Sequence, residues 1–183
     1  MSEETFKKAA DAISSSVSST LSRIKPESVV KTQKAILSAK RIFVYGVGRS
    51  GLVGKAFAMR LVQMGLESYF IGETITPIVK EGDVIILISN TGATMSAIQT
   101  ANIGRRQGAM VVAVTASPKS KMAHASSILL EIPVENQVPE SLAPLGTKFE
   151  DATLLALDAL ISLLMEVTGE TDESMRLRHA ILV

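Results

Sequence analysis

After Lys40 the chain changes period. Five short apolar runs follow, Ile42 to Tyr45, Ser68 to Ile71, Val84 to Ile88, Met110 to Val114 and Ile128 to Ile132, and between them lie stretches of helical pattern. Val84 to Ile88 and Met110 to Val114 contain no polar alternation, the mark of strands covered on both faces. Helical connectors fit Ser50 to Met64, Thr94 to Arg106 and, briefly, Ser120 to Ala125. Strand and helix in strict alternation predict a doubly wound α/β fold, a five-stranded parallel sheet flanked by helices. A chain of 183 residues suits one domain that buries roughly 70% of its unfolded surface. The expected division is an N-terminal helical arm over residues 1–39, an α/β core over 40–167 and a tail over 168–183.

The arm announces itself by a stripe. Phe6, Ala10, Ile13, Val17, Leu21 and Ile24 recur at intervals of three and four, as on one face of an amphipathic helix. Ser14 to Thr20 is rich in hydroxyls and weak in helix propensity, but the stripe runs through it, so helix is the reading. Pro26 restarts a second helix to Ala39, with proline in its first turn and Glu27 near its positive end. At the other end of the chain, Thr147 to Val167 reads as a helix apolar around most of its circumference. Asp151, Asp158, Ser162 and Glu166 form only a narrow polar strip, so this helix should touch several neighbours. Together the two features predict self-association. The tail, Asp172 to Val183, carries Arg176, Arg178 and His179.

Composition removes whole classes of function. The absence of cysteine excludes disulfides, thiol nucleophiles and thiolate-held metals, and two histidines leave little for a metal centre. A formal net charge of +1 with no block of like charges lacks the footprint of a nucleic-acid binder. The opening residues, MSEETFKKAADAI, have no apolar core of a secretory signal, and no apolar run is long enough to span a bilayer. The expectation is a cytoplasmic protein with a small-molecule partner and no nucleic-acid or membrane partner.

In a parallel sheet of this kind ligands bind beyond the carboxyl ends of the strands. Two loops there stand out. Gly46 to Gly51, GVGRSG, fits G-x-G-x-x-G between a strand and a helix: Gly48 lets backbone N–H groups approach a phosphate, Ser50 adds a donor and Arg49 a fixed positive charge. The same residues equally describe a tight turn with Ser50 as a helix N-cap. Ser89 to Thr94, SNTGAT, gathers Ser89, Asn90, Thr91 and Thr94 at the start of the next helix, a set suited to a phosphate monoester, though capping alone would use one or two of them. Two such loops at successive strands favour a phosphate site, and a monophosphate over a dinucleotide. Glu73, after the second strand, could serve as a ribose-binding acid, so the dinucleotide alternative stays open.

GVGRSG, FAMRLVQMG, GETITP, GDVIILISNTGAT and VTASPKSKMAHASSILLEIP, in that order, resemble the sugar isomerase (SIS) domain family, and within it the 6-phospho-3-hexuloisomerases. PLGTKFEDATLLALDAL and the terminal RHAILV extend the resemblance over nearly the whole chain. The second loop departs from the family's usual Ser-Gly-Ser-Gly-Glu-Thr, with Asn90, Thr91 and Ala93 in place of Gly, Ser and Glu. The resemblance implies a flavodoxin-like fold, a homotetramer, and cofactor-independent, metal-free interconversion of 3-hexulose 6-phosphate and fructose 6-phosphate through an enediolate, the formaldehyde-fixing chemistry of the ribulose monophosphate pathway. It also leaves alternatives: another SIS isomerase acting on arabinose 5-phosphate or a heptose phosphate, or a non-catalytic sugar-phosphate-binding regulator.

The reaction needs one base to carry a proton between adjacent carbons, donors for the oxyanion, and a phosphate anchor. By the resemblance Glu150 is the base; locally, Thr147-x-x-Glu150 is also a capping box at the head of a long helix. His179 becomes a candidate for ring opening or proton relay, in its own or a neighbouring subunit's site, and Arg49 for steadying the enediolate or pairing with a carboxylate. Glu73 and Thr74 are candidate contacts to sugar hydroxyls. Asp151 reads as a favourable charge at a helix start, and His124 is assigned no role.

Overall fold

Every strand foreseen in the sequence pairs in one parallel sheet. The computed structural model describes residues 2–135 and 138–180; Ile181 to Val183, the last residues of the tail, lie outside them. The strands are β1 (Ile42–Gly46), β2 (Ser68–Phe70), β3 (Val84–Ile88), β4 (Met110–Thr115) and β5 (Ile128–Glu131). Their spatial order is β2-β1-β3-β4-β5, with Ile42 opposite Val84 and Val84 opposite Met110. The helices are α1 (Ser2–Ser22), α2 (Pro26–Ser38), α3 (Gly48–Gln63), α4 (Met95–Arg106), α5 (Lys121–His124), α6 (Thr147–Thr168) and α7 (Asp172–Arg176).

Alternation along the strands sends side chains into two separate cores. Ile42, Val44, Ile86, Ile88, Val112 and Val114 meet Phe57, Leu61, Phe149, Leu157, Leu160 and Leu164 on the face that carries α3 and α6. Phe43, Ile85, Leu87, Val111 and Ala113 meet Ala97, Ala101 and Met122 on the face that carries α4 and α5. The first face is the thicker, because α1 packs on α6 and α2 packs on both β5 and α6. That is why α6 is apolar around most of its girth. The arm is helical through its serine-rich stretch; Val17 is buried, while Phe6 is 75% exposed.

Two details differ from the sequence reading. The helix after β1 begins at Gly48, two residues early, with Val47 as its N-cap and no side-chain cap. Ser50 is therefore not an N-cap; it lies buried inside the first turn. The tail, read without secondary structure, contains α7, whose Thr171 and Ser174 bond to each other's backbone N–H groups. Arg178 then ties the tail down by donating to the Gln63 carbonyl and to Glu170.

Candidate active site

The strand order reverses between β1 and β3, since the chain leaves β1 toward β2 and returns across it to β3. The crevice of such a sheet lies at the carboxyl ends of those two strands, and the loops from them are the two singled out above. In the first, backbones meet so closely that side chains are excluded: a Cβ on Gly51 would stand 2.6 Å from the Gly46 carbonyl oxygen, and Gly48 holds φ +60. The glycine pattern thus has a steric cause, and it projects Arg49 from the start of α3 into the open.

Arg49 reaches across to the first turn of α6. Its Nε donates to Glu150 Oε2, and its Nη2 lies 3.7 Å from Asp151 Oδ1. Glu150 is 9% exposed, whereas the Arg49 side chain is more than half exposed. The hydrogen bond to Glu150 raises the guanidinium's pKa, so Arg49 is a permanent cation here. Burial raises the pKa of Asp151, and the Glu150 charge adds to the effect while Arg49 opposes it. The three groups line a cleft of about 220 Å³ between α3 and α6, floored by Val53 and Ala56 and rimmed by Leu52 and Leu154.

The capping box at the head of α6 does not form. The N-cap is Gly146, with no side-chain cap, and the Thr147 hydroxyl turns back to donate to the Pro144 carbonyl at 2.7 Å. Freed from that role, the Glu150 carboxylate lies against Gly146, where a Cβ would stand 2.9 Å from Oε1. A glycine there makes room for the acid.

The second loop is held by its own hydroxyls. Ser89 Oγ and Thr94 Oγ1 are 3.0 Å apart, and Ser89 Oγ also accepts the Gly92 N–H at 3.2 Å. Thr91 Oγ1 accepts the Ala93 N–H at 3.3 Å, and Thr115 Oγ1 donates to the Asn90 carbonyl at 2.9 Å. Gly92 holds φ +59 against Ser120. Thr94 is the N-cap of α4 but makes no capping bond to it, so among the described residues the first N–H groups of α4 have no side-chain acceptor. Such a helix end is ready for an anion.

The remaining candidates lie elsewhere. Glu73 Oε1 pairs with Lys55 Nζ at 2.9 Å, and Thr74 is exposed beside it. His179 is exposed, its Nδ1 2.9 Å from the Ala180 carbonyl. Arg178 anchors it beside Gln63, at the opposite end of α3 from Arg49 and a helical rise of roughly 20 Å away. One chain therefore does not bring His179 to Glu150. Asp151, read from sequence as a helix-end charge, shares Arg49 with Glu150. No local pattern reveals a partner a hundred residues away. Among the described residues no three potential metal ligands converge, and no helix is long and apolar enough to cross a membrane.

A five-stranded flavodoxin-like sheet with hydroxyl-bearing loops after β1 and β3 is the frame of an α/β protein that binds its ligand at the switch point of the sheet. The SIS domain profile matches residues 35–163, and the chain belongs to the SIS domain family. It is 39% identical to the 3-hexulose-6-phosphate isomerase of Bacillus subtilis over 152 residues, covering 80% of this chain and 82% of that one. It is 32% identical to the arabinose 5-phosphate isomerase of Pseudomonas aeruginosa, covering 89% of this chain but 51% of that one. A crystal structure from Methanococcus jannaschii, reported to infer a 3-hexulose-6-phosphate isomerase function, superposes with a TM-score of 0.86 at 29% identity, covering 96% of this chain and 99% of that one.

Proposed function

We propose that the protein is a sugar-phosphate isomerase that interconverts 3-hexulose 6-phosphate and fructose 6-phosphate in the cytoplasm without a cofactor. The observation that carries this reading is the buried Glu150 carboxylate, freed from capping and set against Arg49 at the carboxyl edge of the sheet. In the proposed chemistry Glu150 removes the proton from C2 of the 3-ketose. The electron pair moves into the C2–C3 bond and the C3 carbonyl oxygen becomes an enediolate oxygen. Return of the proton to C3 and transfer of the hydroxyl proton from O2 to O3 leave the carbonyl at C2. Arg49 faces the developing negative charge, a role that suits a guanidinium fixed in the charged form.

The phosphate belongs with Ser50, Ser89, Thr91 and Thr94 and the uncapped end of α4, with Gly48 and Asn90 shaping the approach. Glu73 and Thr74 stand after β2 as candidate contacts to sugar hydroxyls. The relatives named 3-hexulose-6-phosphate isomerase support the substrate; the arabinose 5-phosphate isomerase supports the wider class. Exposed Leu52, Met59, Leu154, Leu155 and Phe6 on α3, α6 and α1 support a homo-oligomer, a tetramer in this proposal. In it, His179 reaches a neighbour's cleft. The direct test supplies 3-hexulose 6-phosphate and couples fructose 6-phosphate to a dehydrogenase. Turnover of arabinose 5-phosphate and not of the hexulose would replace this reading with the other isomerase, and binding without turnover of either would make the protein a sensor.

A further inference from the structure

A second cavity, of about 270 Å³, opens on the other side of the α6 N-terminus, between the ends of β3 and β4 and the segment leading into the helix. Asn90, Ser117, Glu140, Gly146 and Lys148 line it. Lys148 is the anomaly. The residue is 9% exposed, yet among the described residues its side chain forms no ion pair and a single hydrogen bond, from Nζ to the Val138 carbonyl at 3.2 Å. Lysine is almost never so buried without a partner. It also sits at the second position of a 22-residue helix, where the macrodipole is positive and disfavours a cation. Two local rules are broken at one residue, and such breaks gather at functional sites.

The surroundings say what the ammonium is for. Among the described residues, two of its three N–H donors have no acceptor. The Asn90 amide and the Ser117 hydroxyl also have no hydrogen-bond partner among the described residues. Glu140 contributes an acceptor of opposite charge, so the lining is polar but close to neutral, which suits uncharged oxygens better than a second anion. Asn90 joins this cavity to the Ser89–Thr94 loop, and Gly146 joins it to Glu150, whose carboxylate lies against that glycine. A chain of oxygens running from a phosphate at α4 would cross here.

We propose that Lys148, with Asn90 and Ser117, binds the hydroxyl oxygens of an open-chain sugar phosphate and so determines which sugar the protein accepts. The proposal rests on the sugar-phosphate reading of the site but not on its chemistry, and its test is therefore a binding measurement. Calorimetry on the full-length protein would compare fructose 6-phosphate with inorganic phosphate, for wild type, Lys148→Met and Lys148→Gln. Met keeps the length without the charge, and Gln keeps a donor for the Val138 carbonyl should the Met variant fail to fold.

The expected result is a loss of fructose 6-phosphate affinity of roughly ten- to a hundredfold, the range for a hydrogen bond from a charged donor, with inorganic phosphate unchanged. If the wild type turns over sugar phosphate, KM should rise by a similar factor while kcat holds within about threefold. Equal weakening of both ligands would make Lys148 the phosphate's counter-ion and overturn the assignment. Unchanged affinities would reduce it to an anchor for the loop at Val138, and a wild type that binds fructose 6-phosphate no better than phosphate would remove the cavity from recognition. Failure of the isomerase reading alone would show differently, as intact binding discrimination without turnover.

Discussion

Glu150→Gln separates the two things the carboxylate can be, a base or half of an ion pair. The substitution keeps shape and removes charge. Structurally it costs the bond from Arg49, nominally about 1.5–3 kcal/mol for a charged hydrogen bond. Arg49, however, is more than half exposed and has Asp151 within 3.7 Å as a second carboxylate. Solvent screening and that alternative partner bring the expected loss to about 1 kcal/mol or less, a fall in Tm of about 2–4 °C for a chain of this size. No helix cap is lost, because Glu150 is not in one. Chemically, an amide cannot carry a proton between two carbons, so kcat should drop roughly 10²–10⁴-fold, about 2.7–5.5 kcal/mol of barrier, with a much smaller change in KM. The assay is the coupled isomerisation run beside exchange of the substrate's carbon-bound hydrogen with D₂O, at fixed protein concentration. Wild type should show wash-in and the variant none. If Glu150→Gln keeps more than about a tenth of kcat, under roughly 1.4 kcal/mol of barrier, then Glu150 serves to hold Arg49 and the base lies elsewhere, His179 being next in order.

Other outcomes are as definite. Ser89→Ala and Thr94→Ala each remove a hydroxyl that the proposed phosphate would use, and kcat/KM should fall roughly ten- to a hundredfold; wild-type kinetics in both folded variants would take the phosphate off this loop. Gly51→Ala forces a methyl to within 2.6 Å of the Gly46 carbonyl oxygen. With backbone on the other side nothing soft can yield, so the variant should lose about 1–3 kcal/mol by thermal unfolding; an unchanged Tm would refute the steric account of the glycine pattern. Arg178 and Ser174 hold the pKa of Glu170 below its ordinary value, so the clamp is complete above the usual carboxylate range and weakens as pH falls through it. Protection of the α7 amides, taken relative to intrinsic exchange at each pH, should therefore fall on acidification, and Glu170→Gln should abolish that dependence. Light scattering at micromolar concentration should find an oligomer; a monomer would leave His179 without a site to enter.

What was legible in the sequence follows a physical division. Val84 to Ile88 and Met110 to Val114 could be placed as central strands because burial on both faces writes an unbroken apolar run, and α6 could be read as multiply covered because three helices press on it. Signals of this kind are local. The start of α3 lies two residues ahead of the expected one because Gly48 and Arg49 carry no helix signal and no side chain caps the helix; the close backbone approach that requires glycine at position 51 shows only in three dimensions. Glu150 is the sharper case. Its spacing from Thr147 favours a capping box, and that box competes with an ion pair whose other half lies 101 residues upstream. The long-range partner wins because Gly146 offers no side chain to cap with and no Cβ to keep the carboxylate out. Lys148 is illegible for the same reason, its meaning depending on a cavity that exists only once α6 docks beside β3 and β4. The site is thus two local loops plus one helix end delivered by tertiary packing. It follows that Phe57 of α3 and Leu157 of α6, buried in the core these helices share and lining neither cavity, help set the geometry of Glu150 from outside the site.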